Sequence, residues 1–85
     1  IETCCGDASL LQRNTYDVIL ANINRNILLQ DIPTYALCLH KDGLLFVSGF
    51  YVEDMPMIIG MAQNNGLTYV SHDTIDNWCC IKFRK

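Results

Sequence analysis

The chain has 85 residues, of which 51% are hydrophobic and 18% are charged. This composition is typical of one small folded domain and excludes a disordered segment. The net charge is −3, from six Lys and Arg against nine Asp and Glu. Such a balance disfavours direct binding of nucleic acid, because phosphate contacts need clustered basic groups.

The ends and the cysteines of the chain indicate its cellular context. No apolar run approaches the roughly 18 residues that a membrane-spanning helix requires. The N-terminal stretch "IETCCGD" has neither a basic region nor a signal-peptide core, and it does not begin with Met. We therefore expect a piece of a longer, cytoplasmic protein. The five cysteines have no zinc-type spacing, so reduced thiols and no metal are predicted.

The predicted elements begin with strands. Residues 1–5 fit the end of a strand that "GD" at 6–7 interrupts, and a turn or short helix is expected at 8–13. Residues 16–21 then predict a strand that contains a continuous apolar run, which is typical of a strand buried on both faces of a parallel sheet.

A helix is predicted over 27–40, where apolar residues recur at helical spacing. Pro33 either kinks this helix or restarts it with Asp31 as a cap, and "KDG" at 41–43 is expected to end it. "LLFVS" at 44–48 predicts a second strand buried on both faces. The apolar residues of the helix are Leu28, Ile32, Tyr35, Ala36 and Leu39.

A second helix is expected after "GFYVED", with Asp54 as its cap, Pro56 in its first turn and "NNG" at 64–66 as its end. Its buried stripe is predicted to comprise Met55, Ile58, Ile59 and Ala62. Strands are expected at 67–72 and 78–83. The intervening residues are too few for a crossover helix, so these two strands should be antiparallel neighbours.

This order predicts an α/β fold that is the C-terminal half of a doubly wound, Rossmann-like sheet. The strands would be parallel except for one antiparallel C-terminal strand, and the helices would lie on one face. In such a half-sheet the strand at 16–21 is too apolar to lie comfortably at an edge. We therefore expect the isolated chain to self-associate through an exposed sheet edge.

Asn22 follows the strand at 16–21, and ligands of open α/β sheets bind beyond the carboxyl ends of the strands. Its amide oxygen could hold an amine without adding charge and leave the nitrogen lone pair free to attack. Alternatively, Asn22 could be a turn residue that caps the following helix, as Asn24 or Asn26 could also be. The residues alone leave both interpretations open.

Two further stretches have simpler interpretations. In "GDAS" at 6–9, Asp7 could present a carboxylate to an exocyclic amino group, although "GD" is more often a turn. Lys82, Arg84 and Lys85 are expected to form a solvated strand tail.

Several motifs together resemble the class I S-adenosylmethionine-dependent methyltransferases. More narrowly, "DVILANINRNILL", "GLLFVSGFYVED", "GLTYVSHD" and "NWCCIKFRK" are similar to the C-terminal part of the PrmA family of ribosomal protein methyltransferases. The resemblance covers essentially the whole chain. It implies that residues 1–85 are a C-terminal fragment of a single methyltransferase catalytic domain, without its N-terminal half and its substrate-recognition domain.

The resemblance also implies roles for individual residues. Asp7, with the backbone of Ala8 beside it, would contact the adenine of S-adenosylmethionine. Asn22 would lie near the methyl group and orient the amine that receives it, and that amine would be a lysine side chain or an N-terminus of large-subunit ribosomal protein L11.

Residues of the next strand end would line the substrate entrance, and these are Ser48, Gly49 and Phe50. The family's Gly-rich loop and its ribose-binding acidic residue lie before Ile1, and the family's "GG" before the second strand is reduced to "DG" at 42–43. We therefore expect the 85 residues alone to be inactive.

Two other functions remain open from the sequence. An α/β half-domain could act as a non-enzymatic dimerisation or docking module. A methyltransferase of the same superfamily could act on a small molecule or a nucleobase, and an "NPPY"-type sequence would have favoured amide or base amino groups. The residues here are "NINR" at 22–25, which favours a protein amine.

Overall fold

The computed structural model describes residues 3–5, through their backbone, and residues 16–85. The predicted turn or helix at 8–13, with Asp7 and Ala8, lies outside these ranges. The helices are α1 (Arg25–Cys38) and α2 (Met55–Asn64), and a 3-10 turn (Val52–Asp54) precedes α2. The strands in these ranges are β1 (Thr3–Cys5), β2 (Tyr16–Asn22), β3 (Leu39–Tyr51), β4 (Thr68–Ile75) and β5 (Trp78–Arg84).

The strands form one sheet in the order β1-β2-β3-β5-β4. The pairs β1–β2 and β2–β3 are parallel, whereas β5 runs antiparallel to both β3 and β4. The predicted mixed sheet with one antiparallel C-terminal strand is therefore confirmed. That last strand is inserted between β3 and β4, so β4 lies at this edge of the sheet.

The central strands are covered on one face, so the prediction that they are buried on both faces was wrong. Ile19 and Leu45 are fully buried under the helices, whereas Leu20 of β2 is 38% exposed and Phe46 of β3 is half-buried. Both helices pack on the Ile19 side, where α1 and α2 also contact each other. Nor does β2 lie at an edge, because β1 pairs with it over Val18–Leu20.

Helix α1 begins after Asn24, whose side-chain oxygen accepts a hydrogen bond of 3.0 Å from the backbone NH of Ile27. Pro33 lies inside this continuous helix, so the expected restart with Asp31 as a cap does not occur. The predicted apolar residues are all buried: Leu28, Ile32, Tyr35 and Ala36 lie on α1, and Leu39 is the first residue of β3.

The helix ends at Cys38, so the prediction that "KDG" terminates it was wrong. Leu39 pairs with Tyr16, and the next registered pair is Leu44 with Val18, so residues 40–43 form an irregular bulge in β3. Gly43 is required there by space, since a β-carbon would lie 2.8 Å from the carbonyl oxygen of His40.

Helix α2 ends as predicted at "NNG". Gly66 adopts φ +83°, and its NH donates to the carbonyl of Gln63 while the NH of Leu67 donates to that of Ala62. This pair of bonds is the Schellman arrangement. At the other end Asp54 makes no side-chain capping bond to α2; its carboxylate instead accepts from the NH of Tyr51.

The C-terminal basic residues are not simply a solvated tail. The Lys82 ammonium lies 5.7 Å from the centre of the Phe46 ring. That of Lys85 donates to the carbonyl oxygens of Ala36 and Leu39 at the C-terminal end of α1, where a positive charge is favourable.

In the part of the chain described here, neither helix is long and apolar enough to cross a membrane.

Candidate functional site

Polar side chains share one row across the uncovered face of the sheet, at the carboxyl end of β2. Asn22 is registered with Ser48 on β3, Ser48 with Cys80 on β5, and Cys80 with Asp73 on β4. Registered residues on neighbouring strands point to the same face. An amide, a hydroxyl, a thiol and a carboxylate therefore lie side by side.

Asn22 is exposed and is the last residue of its strand. It is not the residue that caps α1, because Asn24 occupies that position. Of the two interpretations left open by the sequence, the structure therefore removes the helix-capping one. The Asn22 amide is available for another interaction at the carboxyl end of the sheet.

Gly49 shapes the loop that faces Asn22. Its φ is +94°, a conformation that side chains rarely adopt. A β-carbon at this position would lie 2.6 Å from the carbonyl oxygen of Ile23 and 3.0 Å from Oδ1 of Asn22. Glycine therefore permits the ends of β2 and β3 to approach each other closely.

The same glycine reverses the alternation of β3. The register between β3 and β5 shifts between Ser48 and Phe50, which is the signature of a bulge. After the bulge the Phe50 side chain is buried in the core at 1% exposure, and Tyr51 shares the uncovered face with its partner Trp78.

A cavity of about 540 Å³ opens beside this row. Its wall joins the polar row to the loop after β2 and to the β4–β5 hairpin. The lining residues are Asn22, Ile23, Asn24, Ser48, Gly49, Asp73, Ile75, Trp78, Cys79 and Cys80. A largely apolar hollow with a few polar groups on its wall is the usual form of a small-molecule site.

A second cavity of about 440 Å³ adjoins the first and shares Asn24, Gly49 and Trp78 with it. Arg25 crosses it to Asp54, with a nitrogen–oxygen distance of 3.1 Å. This ion pair is partly exposed and is worth at most about 1 kcal/mol. It links the start of α1 to the turn before α2, so it helps to fix the shape of the second cavity.

The two adjacent cysteines of the site are held as neutral thiols. Burial raises the pKa of Cys79 above its usual 9.0, and the neighbouring Cys80 and Asp73 raise it further. Burial, followed by Asp73, also raises the pKa of Cys80. Since the thiolate is the nucleophilic form, these side chains are poor nucleophiles at neutral pH.

The structure brings three of the residues predicted from the sequence to this site. Asn22, Ser48 and Gly49 line the first cavity. Phe50 contributes to the second, although most of its ring is buried. Asp7 and Ala8 lie outside the described residues.

Sequence reasoning missed Asp73, Ile75 and Trp78. They reach the site because β5 runs back between β3 and β4, which the chain order alone does not reveal. The signal that could have found Trp78 is an aromatic residue at the start of the last strand, immediately after a short turn.

The fold defines the class of protein. A solved ribosomal protein L11 methylase from Lactobacillus delbrueckii subsp. bulgaricus matches 86% of this chain and 38% of its own, with a TM-score of 0.80 and 28% identity. A methyltransferase from Pyrococcus furiosus matches 87% of the chain with a TM-score of 0.71 and 14% identity, which shows a likeness of fold alone. The class is thus that of the Rossmann-like methyltransferases.

Sequence comparison identifies the family. The model of the ribosomal protein L11 methyltransferase (PrmA) family matches residues 3–85, so the chain belongs to that family. Relatives named ribosomal protein L11 methyltransferase include those of Phocaeicola vulgatus, 51% identical over 92% of the chain, and Porphyromonas gingivalis, 44% identical over 98%. The chain spans 28% and 29% of the length of these two relatives.

Proposed function

We propose that this chain is the C-terminal part of the catalytic domain of a cytoplasmic enzyme that transfers methyl groups from S-adenosylmethionine to amines of ribosomal protein L11. The acceptor is a lysine side chain or an N-terminus. The position of Asn22 carries the proposal. It projects from the carboxyl end of a parallel strand at the mouth of a cavity, and it is relieved of helix capping by Asn24.

In this function Asn22 positions the nucleophile. Its amide oxygen accepts a hydrogen bond from the acceptor nitrogen, which directs the lone pair toward the methyl carbon. The amide carries no charge, so it stabilises the ammonium form, which cannot attack, less than a carboxylate would. Alignment of the reacting atoms supplies most of the acceleration in such a transfer.

Ser48, Gly49 and Asp73 act on the approach of the substrate. Gly49 allows the loop after β2 to pack against β3 beside Asn22, and Ser48 adds a hydroxyl to the same wall. The Asp73 carboxylate attracts a lysine in its cationic form before the proton passes to solvent. Phe50 supports this wall from the core side through its place in the second cavity.

The described residues fit the methyl end of S-adenosylmethionine. They offer a largely apolar hollow beside an uncharged amide. When bound, this cofactor supplies an electrophilic methyl group on a cationic sulfur. Family resemblance supports Asp7 and the backbone of Ala8 as the groups that hold the adenine.

The 85 residues alone are proposed to be inactive. They span less than a third of the length of the relatives above, and Asn22 is exposed on an uncovered sheet face. Calorimetric titration of the isolated chain with S-adenosylmethionine should show no saturable binding in the micromolar range. Such binding would contradict this part of the proposal.

Methyl transfer by the full-length protein that carries this chain tests the function. The protein is mixed with radiolabelled S-adenosylmethionine and purified ribosomal protein L11, and mass spectrometry locates the label. Label on lysine or N-terminal amines is expected. Label on a carboxylate or amide side chain, or none on L11, would overturn the proposal.

A further inference from the structure

Three exposed apolar side chains form a continuous row next to the polar row of the site. Tyr51 is registered with Trp78, and Trp78 with Ile75. The exposed fractions are 46% for Tyr51, 51% for Trp78 and 77% for Ile75. This rim row, Tyr51–Trp78–Ile75, crosses β3, β5 and β4. Contiguous exposed apolar groups of this kind mark interaction surfaces, and aromatic rings are enriched among them.

The rim row is held in a fixed arrangement before anything binds. The Tyr51 and Trp78 rings stack with their centres 4.5 Å apart and an interplanar angle of 28°. The NH of Val52 donates to the carbonyl of Asn77 over 3.1 Å, and the Asn77 amide donates to the Glu53 carboxylate over 3.2 Å. The β4–β5 turn and the loop after β3 are thereby joined, which lowers the entropic cost of binding.

The rim row is continuous with the proposed methyl-transfer site and has an acidic border. Ile75 and Trp78 both line the cavity that contains Asn22. Asp73 lies on the same wall, Asp76 forms the adjoining turn, and Glu53 approaches from the other side. An apolar strip bordered by carboxylates complements a segment that carries both apolar and basic residues.

We propose that the rim row is the docking surface for the segment of the protein substrate that flanks the acceptor lysine. An apolar residue of that segment packs on Ile75 and Trp78, and neighbouring basic residues face Asp76 and Glu53. This inference rests on the proposed function and adds to it how the substrate is held beside Asn22.

The test compares two exposed aliphatic residues in the full-length protein. Ile75→Ser alters the rim row, and Leu37→Ser alters a side chain of α1 that is 78% exposed and lies outside both cavities. Methyl transfer is measured with the concentration of ribosomal protein L11 varied. Ile75→Ser should raise KM for L11 about tenfold, the effect of losing one good interface anchor. Leu37→Ser should leave it unchanged.

Two further readouts make the result specific. For Ile75→Ser, the rise in KM for L11 should exceed any change in kcat or in the Kd for S-adenosylmethionine. Asp76→Asn, which suits the φ of +56° at this residue, should raise KM for L11 and weaken its dependence on salt.

A wild-type KM for Ile75→Ser would overturn the docking inference while leaving the proposed function intact. An equal effect of Leu37→Ser on KM would also overturn it. So would a loss of dimer in sedimentation for Ile75→Ser without a change in KM, because the rim row would then bind a second copy of the chain. Absence of methyl transfer by the wild-type protein would overturn the proposed function itself.

Discussion

Oδ1 of Asn22 lies 3.0 Å from the position that a β-carbon on Gly49 would occupy. Asn22 is the last residue of β2, and Gly49 lies at the bulge of β3. A hydrogen bond of 3.2 Å from the NH of Ile23 to the carbonyl of Ser48 holds these two segments together. The orientation of the Asn22 amide is therefore coupled to the backbone conformation at residue 49.

Gly49→Ala should lower both stability and activity. The methyl group would meet the Ile23 carbonyl at 2.6 Å and would sit on a backbone with φ +94°, a combined cost of at least about 2 kcal/mol in the free energy of unfolding. Urea denaturation measures this. The control is Gly60→Ala on α2, where a β-carbon meets nothing within 4 Å and a gain of about 0.5–1 kcal/mol is expected. Equal effects at the two sites would contradict the role given to Gly49.

Asn24→Ala should destabilise the protein by about 1 kcal/mol, because the NH of Ile27 loses its side-chain acceptor at the start of α1. Asn26→Ala, two residues later on the helix surface, should change the free energy of unfolding by less than about 0.5 kcal/mol. If the two variants were equally stable, Asn24 would not be the cap, and the capping interpretation of Asn22 would reopen.

The thiols of Cys79 and Cys80 should make stability fall at alkaline pH. Both pKa values are raised in the folded state, so the unfolded chain loses these protons first, and stability decreases as pH rises above about 9. Comparing thermal unfolding at pH 8 and pH 10 measures the decrease. It should be smaller for Cys80→Ser, which cannot titrate; the same decrease in that variant would contradict the assignment.

Most helices and strands, and their order along the chain, could be predicted from the sequence. Local patterns encode features that depend on residues close in the chain. These features are the apolar stripe of α1, the end of α2 at "NNG" and the antiparallel pairing of β4 with β5. The end of α1 was wrongly predicted at "KDG" because Gly43 also serves a close backbone contact with His40, and a glycine needed for space looks the same in sequence as one that ends a helix.

The candidate site was predicted in part for a similar reason. Asn22 and Gly49 follow predicted strands, so the rule for carboxyl ends of parallel strands finds them. Ile75 and Trp78 reach the site through the insertion of β5 between β3 and β4, and Tyr51 through the bulge at Gly49. These are long-range pairing choices that no local pattern encodes. The apolar run of β2 likewise does not indicate that helices cover only one face of the sheet.

The role of Asn22 is tested by the methyl-transfer rate of Asn22→Ala in the full-length protein, at saturating S-adenosylmethionine and ribosomal protein L11. We expect kcat to fall on the order of 100-fold, because alignment of the acceptor amine is lost, while the free energy of unfolding stays unchanged because Asn22 is exposed. Asn64→Ala, an exposed amide at the far end of α2, should retain full activity. A wild-type kcat for Asn22→Ala would show that Asn22 does not position the acceptor amine.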